Sequence, residues 1–379
     1  MTDFLRYATQ KQAEIVALVG RLVVCESPSD TPEAVDRFTA LLSREAEGLA
    51  SAEFFPGGEF GKHLRLEFAL PGESKEGQIL VLGHADTVWP LGTLAAMPFR
   101  EAEGRLWGPG VLDMKAGLAF CLFAGRTLRD LGVRVRRRVV LLVVSDEEVG
   151  STSSRTMTEA EARCSDCVLV LEPGTGLAGK LKTARKGVGH YKLTVEGRAA
   201  HAGVDFENGA SAVVEAARQV VAVANFTDLA RGVTVNPGVI QGGTRTNVVA
   251  AEAGVDVDVR VTRLSDAEEL DRKFRALQPV DARCQIRVEG GLNRPPMERT
   301  RGIAELFEKA RDIGAQMGVE LEESATGGGS DGNFTAALGV PTLDGLGAVG
   351  EGAHAGNESV LVNKIAERVA LLAGLLTGV

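Results

Sequence analysis

Gln78-Ile79-Leu80-Val81-Leu82-Gly83-His84-Ala85-Asp86-Thr87 is the stretch from which this 379-residue chain is best read. It opens with a short, nearly all-apolar run and then places an imidazole and a carboxylate directly after it. Val139 to Val144 and Val168 to Leu171 are runs of the same kind. A strand with one wet face alternates apolar and polar residues. A strand that is apolar throughout is covered on both faces, as in a mainly parallel sheet with helices on each side. Leu118 to Leu131 suits the crossover helix that such a sheet needs. Upstream, Ile15, Leu18, Val19 and Leu22 have helical spacing within residues 1 to about 24. After a break at Glu26-Ser27-Pro28-Ser29-Asp30, Thr31 and Pro32 read as the N-cap and first turn of a second helix. The expected class is α/β.

The pattern changes after about residue 186. Tyr191 to Glu196 and Val255 to Val261 alternate apolar and polar residues, which predicts an antiparallel sheet with one solvated face. Helical stretches at about 209–224 and 265–277 would cover its other face. Residues 186–296 are therefore read as an α+β domain inserted into an α/β domain made of residues 1–185 and 297–379.

Composition narrows the function. Lys plus Arg total 42 and Asp plus Glu total 51, a net charge of −9, which argues against a nucleic-acid or anionic-membrane partner. The five cysteines (Cys25, Cys121, Cys164, Cys167 and Cys284) are odd in number and scattered, so a reducing compartment is expected rather than a disulfide framework. Polar residues interrupt the apolar positions of the N-terminus, so no signal peptide is expected. The strongest apolar run is too short to span a bilayer. The expected location is the cytoplasm.

The chemistry lies at the ends of the predicted strands. His84 and Asp86 follow the first run, and Asp86 could accept the second ring N–H of His84; alone, such a pair is a weak signal and reads first as a hydrogen-bonded surface pair. Asp113 sits in a turn bounded by Gly108-Pro109-Gly110 and Gly117, where it could bridge two cations or simply cap the next helix. Glu147 and Glu148 follow the second run, so one could bind metal while the other handles a water proton; the alternative is a solvated loop. Glu172 ends the third run, and His354 lies in a loop with Gly347, Gly350, Gly352 and Gly356. Open α/β sheets bind ligands beyond the carboxyl ends of their strands. Together, two imidazoles and three carboxylates can hold two divalent metals with one carboxylate shared. One of the paired glutamates remains as a base, and that inventory suits metal-assisted amide hydrolysis. Gly327, Gly328, Gly329 and Ser330 precede a short helix near Phe334 and read as a seat for a substrate carboxylate, or as a linker. Cys164 and Cys167 have the spacing of a redox or zinc pair but no second pair, and His63 and His190 have no partnered motif.

In this order, the segments His84-Ala85-Asp86-Thr87-Val88, Asp113-Met114, Glu147-Glu148, Glu172 and His354 resemble those of the M20 family of zinc peptidases and amidohydrolases, most of all its glutamate carboxypeptidase branch. The resemblance implies two Zn2+ ions, with Co2+ or Mn2+ as substitutes. His84, Asp113 and Glu172 would hold one, and Asp113, Glu148 and His354 the other, with Asp113 bridging. Glu147 would be the general base, and Asp86 the partner of His84. A cis peptide would follow Asp113. The inserted domain would be ferredoxin-like and make a homodimer or lid. His201, in Ala200-His201-Ala202-Gly203, would reach the partner's site to stabilise an oxyanion. Asn247, Arg294 and Lys180 match substrate-binding positions. The implied substrate is a small peptide or N-acyl amino acid, cleaved at an amide beside a free carboxylate with release of C-terminal glutamate or a similar residue. An N-acyl-amino-acid deacylase or dipeptidase is the near alternative. A metal- or ligand-binding protein without catalysis is the distant one.

Overall fold

The structure, a computed structural model, describes residues 2–73 and 75–379. The three apolar runs lie in a six-stranded sheet. Its strands are β1 (Ala50–Pro56), β2 (Lys62–Phe68), β3 (Gln78–His84), β4 (Arg138–Val144), β5 (Cys167–Val170) and the two-residue strand Thr342–Leu343. The spatial order is β1, β2, β4, β3, β5, then Thr342–Leu343. β3 runs parallel to β4 and β5, and Thr342–Leu343 runs parallel to β5. β1 pairs antiparallel with β2, and β2 with β4. The sheet is thus mixed and mainly parallel.

Alternation along these strands separates two cores. Leu64, Ile79, Val81, Leu141, Val143 and Leu169 face one way and cluster with residues of three helices, Gln12–Val24, Ala116–Asp130 and Ile365–Gly378. Leu80, Leu82, Val140, Leu142, Val144, Val168 and Val170 face the other way, with Ala162 and Met157 of the helix Arg155–Arg163. Both faces are dry, which is why the runs are almost entirely apolar. The predicted N-terminal helix is two helices, Asp3–Gln10 and Gln12–Val24, with the break at Lys11. Thr31 stands at the N-cap position before Pro32, but its side chain makes no capping hydrogen bond.

Parallel pairing aligns the strand exits. His84 pairs in register with Val144, and Leu82 with Val170. The residues that follow β3, β4 and β5 therefore leave from one edge of the sheet. Among the described residues no helix is long and apolar enough to cross a membrane.

The chain divides into two compact units. One is Met1–Ala184, Arg299–Thr326 and Ser330–Val379; the other is Arg185–Glu298 with Gly327–Gly329. The second contains β6 (Gly187–Glu196), β7 (Thr234–Gly242), β8 (Glu252–Val261) and β9 (Gln285–Arg294). They form an antiparallel sheet in the order β7, β8, β6, β9. The helices Ala212–Ala224 and Leu264–Arg275 follow β6 and β8, giving the βαββαβ order of a ferredoxin-like fold. Tyr191, Leu193, Val195, Val255, Val257 and Val259 bury one sheet face against Ala216, Val223, Leu270 and Phe274.

Leu141 lies at the middle of β4 and is fully buried. Leu141→Ala should destabilise the protein by about 2–5 kcal/mol, read as a lower urea midpoint. A loss below about 1 kcal/mol would show that the sheet core is not close-packed there.

Candidate metal centre

Beyond β3 the chain leaves the strand: the Ala85 N–H still bonds the Val144 carbonyl, and the Thr87 N–H then bonds Ser27. This departure changes the expected relation between His84 and Asp86. His84 Nδ1 lies 2.9 Å from the backbone carbonyl of Asp86 and 3.5 Å from its carboxylate. The carbonyl is the nearer acceptor because the two residues no longer alternate on a regular strand. The Asp86 carboxylate accepts the backbone N–H groups of Glu147 and Glu148, each at 3.2 Å, and the Ser29 hydroxyl at 2.7 Å. It fixes the turn that carries both glutamates, a task that no sequence feature indicated.

A carbonyl only accepts, so His84 Nδ1 carries the proton and the neutral ring would aim the lone pair of Nε2 outward. Nε2 lies 3.1 Å from Asp113 Oδ1 and 3.6 Å from Glu172 Oε1. A lone pair facing two carboxylates is repulsive, so a positive charge belongs between them, either a second ring proton or a metal cation. Burial pulls the His84 imidazole down, but its hydrogen bonds to Asp113, Asp86 and Glu172 outweigh this and hold it well above its usual range.

Asp113 lies in the turn Val111–Lys115, which is followed by the helix Ala116–Asp130, and its peptide bond to Met114 is cis. Gly110 enters this turn with φ +70°, and a side chain there would come within 2.7 Å of Thr87. The turn directs Oδ1 of Asp113 toward His84 and Oδ2 toward His354 Nε2, 3.3 Å away. His354 Nε2 is also 3.2 Å from Glu148 Oε1. Hydrogen bonds to Asp113 and Glu148 push the half-exposed His354 up to about 10. Burial pushes the Glu148 carboxyl up. Glu148 Oε1 is shielded from solvent, and His354 Nε2 is the charged group facing it.

Two trios result, His84–Asp113–Glu172 and Asp113–Glu148–His354, and within each the ligand atoms lie within 4.8 Å of one another. Ligands about 2.0–2.2 Å from a tetrahedral ion stand about 3.3–3.6 Å apart. The imidazole-to-carboxylate separations of 3.1–3.6 Å lie within about 0.2 Å of that spacing. The residues therefore fit a pair of divalent cations sharing Asp113.

Glu147 opens the one-turn helix Glu147–Val149 beside Glu148 and is partly buried. Lys180 pairs with Glu322 at 2.5 Å at the surface of the first unit. Ser330 is buried in that unit; its N–H bonds Asn333 and its hydroxyl bonds Asp344. Both donors are thus used inside the protein, which removes Ser330 from the expected carboxylate seat. The carbonyls of Gly328 and Gly329 accept from Arg185 at 3.2 and 3.0 Å within the second unit. His201 is exposed there, its Nδ1 accepting the Gly203 N–H at 3.2 Å. Asn247 is its neighbour, because the Ala202 N–H bonds the Asn247 carbonyl and His201 bridges Val248. Arg294 ends β9 and is mostly buried.

Sequence reasoning missed Glu358, whose buried carboxylate accepts the N–H groups of Gly110, Leu112 and Asp113 and the Trp89 indole. Its only signal was a charged residue directly before an apolar strand.

Carboxypeptidase G2 of Pseudomonas sp. (strain RS-16) is 32% identical over 305 residues, which cover 79% of this chain and 73% of that protein. Among solved structures, the aminopeptidase PepT from Bacillus cereus superposes with a TM-score of 0.81 at 22% identity, over 97% of this chain and 98% of that one. The YxeP protein of Bacillus subtilis, described as a dinuclear metal binding peptidase, superposes with a TM-score of 0.69 at 12% identity, over 97% and 98% of the two chains. The model of peptidase family M20/M25/M40 matches residues 80–378, a span that includes every member of both trios. The protein is a metallohydrolase of peptidase family M20/M25/M40.

Proposed function

We propose that this enzyme is a di-zinc carboxypeptidase that releases C-terminal glutamate or a similar amino acid from small peptide or N-acyl substrates. One observation carries the reading: the Asp113 carboxylate offers one oxygen to each of two ligand trios, in a chain 32% identical to carboxypeptidase G2 over 305 residues. His84, Asp113 and Glu172 would hold one Zn2+, and Asp113, Glu148 and His354 the other. When bound, the cations supply Lewis acidity that makes water a nucleophile near neutral pH and polarises the amide carbonyl. Glu147 takes the water's proton during attack and delivers it to the leaving amine. Asp86 fixes the turn that carries Glu147 and Glu148 by accepting the backbone N–H of each.

His201 would donate to the oxyanion. Asn247, Arg294, Lys180 and Gly327–Gly329 would hold the substrate's carboxylate end. A homodimer through the second unit is part of the proposal. It is supported by exposed apolar residues on the helix Ala212–Ala224 (Val213, Val214, Val221) and on the edge strand β7 (Val239, Ile240). Five free cysteines support a reducing cytoplasm as the place of action. The second reading, a deacylase or dipeptidase with the same centre, differs only in what surrounds the scissile amide.

Glu147→Gln should lower kcat by about 10²–10⁴ while zinc content stays at wild-type level. Turnover near wild type would remove Glu147 as the base. Hydrolysis of folate-type glutamates ahead of N-acetyl amino acids and dipeptides is expected; the reverse ranking favours the second reading.

In metal-free protein, His84 and His354 are both raised and so carry protons at pH 7. Cations must displace these protons, so affinity should rise with pH toward about 10, where His354 loses its own. Calorimetry at pH 7 in buffers of different ionisation heat should show about two protons released per chain. Release of none would mean that the imidazoles are not ligands.

Val239→Lys combined with Ile240→Lys should convert a dimer to monomers in sedimentation. An unchanged dimer would place the interface elsewhere.

A further inference from the structure

Glu358 is fully buried and stands just before the short strand Ser359–Leu361. Both of its oxygens are occupied. Oε1 accepts from Leu112 N–H at 2.8 Å and Asp113 N–H at 3.1 Å. Oε2 accepts from Gly110 N–H at 2.9 Å and the Trp89 indole N–H at 2.8 Å. A proton on either oxygen would break one of these bonds, so the geometry suits the carboxylate ion. Hydrogen bonds to an ionised acceptor are about twice as strong as neutral ones.

Its contacts reach three segments. Trp89 belongs to the segment that leaves β3 after His84 and Asp86. Gly110, Leu112 and Asp113 form the turn that presents the shared carboxylate. Glu358 itself closes the loop that carries His354, through its own N–H to the Ala355 carbonyl at 2.9 Å. That loop holds His354 at φ +61°, a left-handed conformation unusual for a side-chain-bearing residue. No other carboxylate among the described residues accepts from the Asp113 amide. Asp113 must aim one oxygen at each imidazole, and a rotation of its backbone by a few tens of degrees would misdirect one of them.

We propose that Glu358 is the positioning residue of the metal centre, a buried anion seated on the amides of Gly110, Leu112 and Asp113 and on the Trp89 indole that locks the Asp113 turn so that one carboxylate can serve two cations. The inference rests on the two-cation reading above. Glu358 touches neither substrate nor cation and acts through Asp113.

Glu358→Gln is the decisive variant. It keeps the shape, but its amide group points two N–H donors at two N–H donors, so half of the seat is lost. In the metal-free proteins, hydrogen exchange at Gly110, Leu112 and Asp113 should quicken at least about tenfold, while the amides of β4 stay as slow as in wild type. Zinc affinity, measured by chelator competition, should fall by about 10–100-fold. Wild-type exchange at residues 110–113 together with wild-type zinc affinity would overturn the proposal. So would a uniform gain in exchange across β4 as well, because Glu358 would then be a fold residue only.

If Glu358→Gln does not fold, Trp89→Phe removes one donor and leaves the carboxylate. It should quicken exchange at residues 110–113 and weaken zinc binding severalfold with β4 unchanged; no effect on either would count against the proposal. Should wild type take up no pair of zinc ions, the two-cation reading fails. The exchange experiment on metal-free chain still decides whether Glu358 holds the turn.

Discussion

Asp113 sits between two imidazoles, and the rest of the centre follows from that placement. Asp113 lies within 4.8 Å of Glu172 beside His84 and within 4.8 Å of Glu148 beside His354. Two like charges 4 Å apart repel by about 4 kcal/mol at an effective dielectric of 20, and here there are three, with the Asp86 carboxylate close by. Such a cluster is tolerable only with positive charge inside it. Raised imidazoles supply protons in metal-free protein, and divalent cations are the stronger answer. The electrostatic problem and the catalytic function are therefore the same feature seen twice.

The sheet makes this crowding achievable. Parallel β3, β4 and β5 deliver their C-terminal ends to one edge, so residues far apart in sequence emerge side by side. Buried hydrogen bonds then fix each exit. Asp86 holds the amides of Glu147 and Glu148. Behind them, the Ser145 N–H bonds His63 Nδ1, and Ser153 joins His63 Nε2 to Asp146. His63, to which the sequence reading gave no role, thus braces the exit of β4. Glu358 does the same for the Asp113 turn.

Much of this was legible from residue patterns. The dry runs, the alternating strands of the second unit and the ligand types all follow from periodicity and side-chain chemistry. What was not legible shares one cause. The partner of the His84 ring proton, the grouping of Gly327–Gly329 with the second unit and the inward donors of Ser330 depend on where the chain bends after an element ends. Bends are set by contacts with distant segments, such as Ser27 to Thr87 and Asp344 to Ser330. The N-terminal helix shows the same limit: apolar spacing runs through Lys11, but the chain breaks there.

The sequence by itself determined a mainly parallel sheet with an α+β insertion and supplied two imidazoles and three carboxylates at its strand ends, because burial on both faces forbids polar residues and metal chemistry demands those donors. Only the tertiary structure decided that Asp113 gives one oxygen to each imidazole, that Asp86 serves two backbone amides, and that Glu358 seats the turn. Those relations are distances of a few ångströms between residues up to hundreds apart in the chain, and folding alone sets them.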